Sequence, residues 1–394
     1  MIDSAPTALA SITSAELFRS LRSSEFPWTA ETVYLNNASI GPIPERTRRL
    51  LDELTAKRTA PYLLDNRELH GALQETRVTV ARLLGAQPEE IALSTNTTYG
   101  LSLAAGSLPL KAGDKVILSD REFPANVYPW LRLRERGVQV ELVPTTGPGW
   151  PDEDQLSERL RDGRVKVLAI SLVQFASGYR ANLDRLGALC RANGTYLVVD
   201  AIQALGHVPL DVRKTPVDIL SCGGQKWLLS PWGSGFVYIR RELIPEVDPV
   251  VCGWMSFEGT EDFSQLTHYN ETLRADARRG EMATLPFQDL MAMQVSVALL
   301  LELGVERIGA YIRTLREPLY QLARAGRLNL VSPVDPEHDS AIVCFQPEHV
   351  AESFHALKKA RVVCALREGT IRLSPHCYNT IEEIEKVVGV LVGE

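Results

Sequence analysis

Two charged residues end two consecutive apolar segments of the chain. Asp200 closes Leu197-Val198-Val199, and Lys226 follows Ile219-Leu220 within Ser221-Cys222-Gly223-Gly224-Gln225-Lys226-Trp227. A lysine amine can hold an aldehyde as a Schiff base, and a carboxylate can keep a pyridine nitrogen protonated. An acid closing one strand and a lysine following the next therefore form the two ends of a pyridoxal 5'-phosphate (PLP) site. Asp200 follows residues that want burial, so its charge requires a partner. A pyridinium supplies one; the plainer alternative is a helix N-cap. Lys226 could be an ordinary surface lysine, but Gly223-Gly224 before it and Pro231-Trp232-Gly233-Ser234-Gly235 after it leave room for a flat ring. Once released from a cofactor it can carry the substrate α-proton as general base. Gln203 lies three residues beyond Asp200, on the same side of a helical turn, and can donate to a ring hydroxyl.

A third segment, Ser94-Thr95-Asn96-Thr97-Thr98-Tyr99-Gly100, opens the helical pattern Leu101–Leu108. Free N–H groups and two hydroxyls at a helix start make a phosphate cradle for which Thr97 and Thr98 are candidates. Either threonine could instead cap the helix.

These segments need a scaffold that brings strand ends together. Short apolar runs (Thr32–Asn36, Ile91–Thr95, Lys115–Ser119, Val138–Val143, Val165–Ser171, Tyr196–Asp200, Ile219–Cys222 and Gly235–Ile239) alternate with helical patterns. The helical patterns are Pro44–Lys57, Glu68–Leu84, Asn126–Arg136, Asp152–Arg161 and Leu183–Asn193. That alternation predicts an α/β fold with a mainly parallel sheet, ligands lying beyond the strands' carboxyl ends. Beyond about residue 270, long helical patterns (Phe287–Leu303, Val305–Ala325) precede short strands near Leu328–Val331, Ala341–Phe345, Val362–Leu366 and Thr370–Ser374, and a closing helix, Thr380–Val392. We expect an N-terminal segment, 1–28, with one amphipathic turn at Ser14–Arg22, a large PLP-binding domain, 29–270, and a smaller α+β domain, 271–394.

The 394 residues carry a net charge of −7, with a pI near 5.7, which argues against nucleic acid or an anionic membrane surface as partner. No apolar run is long enough to span a bilayer, and the first residues do not read as a secretory signal. The six cysteines show no paired spacing, as expected of reduced thiols in a cytoplasm, and no His/Cys/Asp grouping has metal-ligand spacing.

In these features the chain resembles the class V aminotransferase family, which includes cysteine desulfurases, isopenicillin N epimerase-like proteins and kynureninase. The segments that carry the likeness, in order, are Tyr34-Leu35-Asn36-Asn37-Ala38, Asn96-Thr97-Thr98-Tyr99-Gly100, Glu122-Phe123-Pro124-Ala125-Asn126, Asp200-Ala201-Ile202-Gln203, Gly224-Gln225-Lys226-Trp227, Glu281-Met282-Ala283-Thr284 and Arg372-Leu373-Ser374-Pro375-His376-Cys377-Tyr378-Asn379-Thr380. The resemblance implies a fold type I PLP enzyme, usually a homodimer, acting on a small amino-acid substrate. It makes Lys226 the Schiff-base lysine, Asp200 the pyridinium partner and Gln203 the ring-hydroxyl donor. Thr98, with Thr97 beside it, becomes a phosphate ligand, and Thr284 reaches the phosphate of the neighbouring subunit. Arg372 would grip the substrate carboxylate, with Asn37 also in reach.

Several positions depart from the desulfurase pattern. Phe123 stands where those enzymes stack a histidine; it can stack on a ring but cannot pass protons. Gly223 and Gln225 replace a serine and a histidine, and Gln225 can still donate to phosphate. Only Arg367-Glu368-Gly369-Thr370-Ile371 separates Leu366 from Arg372, where desulfurases carry a longer loop with a nucleophilic cysteine. Cys364 reads as part of a buried strand and Cys377 as packing. His207 reads as a loop or cap residue, and His376 and Trp254 as possible lining of a substrate pocket. The balance favours epimerase-like or lyase chemistry at the β-carbon. Transamination, cysteine desulfuration or selenocysteine lysis, and a non-catalytic cofactor-binding role are the alternatives.

Overall fold

The structure, a computed structural model, describes residues 14–282 and 284–393. The first thirteen residues of the expected N-terminal segment lie outside the described residues. Helix α1 (Ser14–Glu25) packs Phe18 on Tyr311, with ring centroids 4.5 Å apart, and its Arg22 pairs with Glu383 at 2.7 Å. It therefore rests on C-terminal helices. Strand β1 (Val33–Tyr34) precedes α2 (Glu45–Arg58) and α3 (Asn66–Leu84). Gly85 ends α3 at φ +68°, the left-handed conformation that suits glycine at a helix end.

The parallel-sheet grammar follows. In chain order come β2 (Ile91–Ser94), α4 (Thr97–Ser107), β3 (Lys115–Ser119), α5 (Tyr128–Leu131), β4 (Gln139–Val143), α6 (Glu153–Arg159), β5 (Val165–Ser171), α7 (Leu183–Ala192), β6 (Tyr196–Asp200), β7 (Ile219–Gly223) and β8 (Gly235–Ile239). They form one seven-stranded sheet, in the order β2-β8-β7-β6-β5-β3-β4. Only β8 runs against its neighbours. Strands β2, β7 and β8 are buried at every position, as apolar runs covered on both faces must be. The helix expected over Asn126–Arg136 is instead α5 between two 3-10 turns, Pro124–Asn126 and Arg132–Arg136. Pro124 is the first residue of its 3-10 turn and Pro129 the second of α5; in a first turn the missing N–H is harmless, but each proline interrupts any longer α-helix.

After the sheet, α8 (Phe287–Leu303) and α9 (Val305–Arg324) lead to β9 (Val343–Phe345), α10 (Val350–Lys359), β10 (Val362–Val363), β11 (Ala365–Arg367), β12 (Thr370–Leu373) and α11 (Ile381–Val392). Strands β11, β12 and β9 make a three-stranded antiparallel sheet. The strand expected over Val362–Leu366 breaks at Cys364: Val362–Val363 pairs in parallel with β1, and Ala365 onward pairs with β12. The expected strand near Leu328–Val331 is reduced to one bridge, Leu330 to Phe345. Val33 and Leu35 share an apolar cluster with Leu315, Phe345, Ile371 and Leu373, so the chain's start is stitched into its C-terminal sheet.

A buried ion pair locks α3 to β2 and to the segment before α8. Arg77 meets Glu281 through both Nη2 contacts at 2.8 Å, and Glu281 also accepts from the Leu93 N–H at 2.8 Å. Both side chains are almost wholly buried. Removing one partner strands a buried charge. Arg77→Leu should therefore destabilise the fold by about 3–5 kcal/mol, read as a lower denaturant midpoint; an unchanged midpoint would contradict the packing described.

Candidate active site

Strands β6 and β7 are adjacent and parallel, with Asp200 in register with Ser221. Their carboxyl ends therefore bring Asp200 and the loop to Lys226 together. The chain leaves β7 through Gly223 and Gly224 and closes a tight turn: Ser230 N–H donates to Gly224 O (3.0 Å), and Leu229 N–H to Lys226 O (3.1 Å). Leu229 sits at φ +54°, a left-handed backbone that a leucine adopts at a cost of about 1 kcal/mol or more. Ser296 Oγ holds its carbonyl at 2.9 Å. From the other side, Gly41 N–H donates to Gln225 O at 2.9 Å, and a Cβ on Gly41 would fall 2.0 Å from Lys226 O. Only glycine lets these two backbones pass so closely.

Asp200 is buried, and Oδ1 accepts from the Ile202 N–H at 3.0 Å. Burial foremost, with the Glu122 charge nearby, raises its pKa to about 7. Burial likewise lowers Lys226 to about 8, against the pull of Asp200 and with a further push from Arg372. Lys226 Nζ lies over the Phe123 ring, 5.5 Å from its centroid, and Phe123 meets Phe175 edge-on at 5.2 Å. Glu122, whose role the sequence did not disclose, anchors the loop that carries Phe123. It accepts from Ser171 N–H (2.9 Å), Gln174 Nε2 (2.6 Å), Asn126 Nδ2 (3.1 Å) and the Ser171 hydroxyl.

A second group of residues converges from the C-terminal sheet. Asn36 bridges Ser374, which brings Asn37–Ile40 beside β12. Arg372, 2% exposed, donates from Nη1 to Phe175 O at 2.9 Å and from Nη2 to Ser39 Oγ at 2.8 Å. Its Nε has no partner, and neither does Nδ2 of Asn37, whose Oδ1 accepts from the Tyr378 hydroxyl at 3.0 Å. Burial lowers Arg372 to about 10, and no described carboxylate lies within 4.0 Å of its guanidinium. Buried donors left open and a buried cation without an acid form a receptor for an anion. Ser39 was not singled out from sequence; a loop serine carries no local signal.

The candidate phosphate cradle at Thr97 and Thr98 folds as the start of α4. Asn96 caps α4 by accepting from Tyr99 N–H at 2.9 Å, leaving Thr98 exposed on the first turn. Thr97 is buried instead; its hydroxyl accepts from Gly223 N–H (2.9 Å) and its carbonyl from Ser221 Oγ (2.8 Å). It ties α4 to β7. Gln225 is half-buried beside them, where a Cβ on Gly223 would come within 2.5 Å of its Oε1. The Gln203 amide donates to Ala38 O (3.0 Å) and accepts from Trp227 Nε1 (2.9 Å), keeping one N–H free. Thr284 is not brought to Lys226: it is exposed in a separate hollow with Leu54, Arg58 and Leu69. Trp254, packed edge-on with Phe263, lines other surface hollows.

The Aminotransferase class-V family model matches residues 45–387. The chain belongs to the class V aminotransferase family. It is 30% identical to isopenicillin N epimerase of Streptomyces clavuligerus, covering 91% of this chain and 94% of that protein. It is 29% identical to a probable cysteine desulfurase of Methanothermobacter thermautotrophicus, covering 94% and 95%. Its fold matches the apo cysteine desulfurase of Thermococcus onnurineus with a TM-score of 0.85 at 24% identity, over 97% and 98% of the two chains. It is a PLP-dependent enzyme with a fold type I architecture. Its residues fit that cofactor: a buried carboxyl, a desolvated amine, an aromatic ring over the amine and open donors beyond.

Within this family member, His207, Trp227, His376 and Tyr378 form a buried stack behind the lysine loop. Burial lowers His207 to about 3 and His376 to about 4, so both are neutral near pH 7. His376 is wholly enclosed and lines no substrate space. Cys377 is buried, whereas Cys364 is only partly so, at the strand break; burial still raises its thiol to about 11. Depression of Lys226 from 10.5 to about 8 keeps far more of its amine neutral at mild pH. Covalent capture of added PLP by the apoprotein should therefore accelerate with pH through an apparent pKa near 8. A stopped-flow absorbance profile still rising as an ordinary lysine's would at pH 10 contradicts this.

Proposed function

We propose that the enzyme acts on an α-amino acid, with Lys226 holding the cofactor covalently and then working as the acid–base group at the substrate α-carbon. The single observation that carries this reading is the buried Arg372 guanidinium, without an acid partner, in electrostatic reach of Lys226. A carboxylate docked there, with Asn37 Nδ2 as a further donor, fixes the α-carbon near Nζ. Bound PLP supplies the electron sink for charge released at that carbon. Asp200 holds the pyridine nitrogen protonated, and Gln203 offers its free N–H to the ring hydroxyl. Phe123 covers the ring face, and Thr98 and Gln225, supported by Thr97, hold the phosphate.

Thr284 is exposed and lines a hollow that includes no residue of its own chain's lysine loop, which supports its serving the site of a second subunit in a homodimer. Unpaired cysteines support residence in the reducing cytoplasm.

Among the reaction branches, epimerase-like or β-carbon lyase chemistry is favoured over transamination or desulfuration. Phe123 cannot relay a proton, and Cys364, at the strand break just before a short hairpin and with its thiol held protonated near neutral pH, is a poor persulfide carrier. The test is exchange of the α-proton of supplied amino acids into deuterated water, followed by NMR. Wild-type protein should exchange at least one of them, and Lys226→Ala should lower that rate by about 10²–10⁴-fold. Exchange undiminished in the variant would refute the assignment. Stoichiometric keto acid would redirect it to transamination, and cofactor binding without any exchange would point to a non-catalytic protein.

A further inference from the structure

The short β11–β12 hairpin carries a second cation, Arg367. Glu368 and Gly369 connect the strands with φ values of +44° and +75°, the backbone of a tight two-residue turn whose twist matches the strands. Arg367 pairs with Thr370, and Ala365 with Arg372. Directly opposed residues share one face of an antiparallel ladder, so Arg367 and Arg372 project from the same side. They also share a partner: Nη2 of Arg372 lies 2.8 Å, and Nη2 of Arg367 3.4 Å, from Ser39 Oγ. Ser39 is held in turn by donating to Asn36 Oδ1 at 2.7 Å. Nη1 of Arg367 is fixed on the carbonyl of Leu366 at 2.8 Å.

Two guanidinium groups meeting on one neutral hydroxyl repel each other unless an anion joins them. Among the described residues neither has a carboxylate within 4.0 Å. Both charges reach Lys226, each lowering its proton affinity. The two differ in setting. Arg372 is buried and suits a group carried deep into the site, whereas Arg367 is exposed at the mouth.

We propose that this hairpin makes a two-anion receptor, and that the substrate is an α-amino acid whose side chain bears a second anionic group. The α-carboxylate docks on Arg372 and the distal group on Arg367, with Ser39 setting the spacing between the two guanidiniums. The inference rests on the amino-acid reading above and deepens it by naming a specificity residue. It draws on the same short segment that replaces the longer loop of the desulfurases, so the lost loop is exchanged for a charge-reading edge.

The test compares acid and amide pairs on the holoenzyme: L-glutamate with L-glutamine, and L-aspartate with L-asparagine. Dissociation constants come from the cofactor absorbance and, independently, from tryptophan fluorescence. At least one acid should bind about 10-fold to 100-fold tighter than its amide, the worth of one charge-assisted contact. Arg367→Gln should bring that ratio close to one, and Arg367→Lys should restore part of it. Arg367 is exposed on a turn, so the melting temperature of each variant checks that folding is intact. Equal binding of acids and amides in the wild type, or a preference that survives Arg367→Gln, overturns the inference while leaving the amino-acid reading standing. If no amino acid of either kind binds, both fall.

Discussion

Desolvation of Asp200 and Lys226 beyond two adjacent strand ends, without an ion pair between them, is the constraint on which the site depends. Each side chain is held by its own strand end, and burial pushes each toward its neutral form. An apolar interior tolerates this only if something else supplies the missing partners. A planar cofactor with a basic nitrogen at one end and an aldehyde at the other meets both demands. Much of the surrounding structure serves that separation. The register of β6 on β7 sets the two origins side by side, and the Gly223-Gly224 exit and the strained Leu229 turn keep the lysine at its post.

In the proposed function, Arg372 extends the same logic to the substrate. Its cation is desolvated against Phe175 O and Ser39 Oγ, both uncharged acceptors, so it remains available to an incoming carboxylate. The segment that frames it comes from near the start of the chain, while its strand lies near the end. The site thus exists only once the first strand has joined the C-terminal sheet, and the stitching of β1 onto β10 is a functional requirement as much as a structural one.

Much of this arrangement is legible in the sequence because strand ends are local. An apolar run followed by Asp200, or by two glycines and Lys226, announces a carboxyl-terminal loop whatever the distant chain does. The alternation of apolar runs and helical patterns likewise discloses the parallel sheet. What cannot be read locally depends on tertiary contact. Nothing near Ser39 foretells that two arginines more than 300 residues away meet on it. Glu122 opens one of the segments that carry the family likeness, but its anchoring role appears only where Ser171 and Gln174 close around it. The break at Cys364 is hidden too, because Val362–Val363 and Ala365–Arg367 both favour extended backbone yet pair with different sheets.

The most direct test of the account is the protonation state of the cofactor's ring nitrogen, read by NMR with ¹⁵N-labelled PLP bound to wild-type protein and to Asp200→Ala. The account predicts a protonated nitrogen in the wild type near neutral pH and an unprotonated one in the variant. Identical nitrogen shifts in the two proteins would contradict it, and would remove Asp200 from the centre of the site.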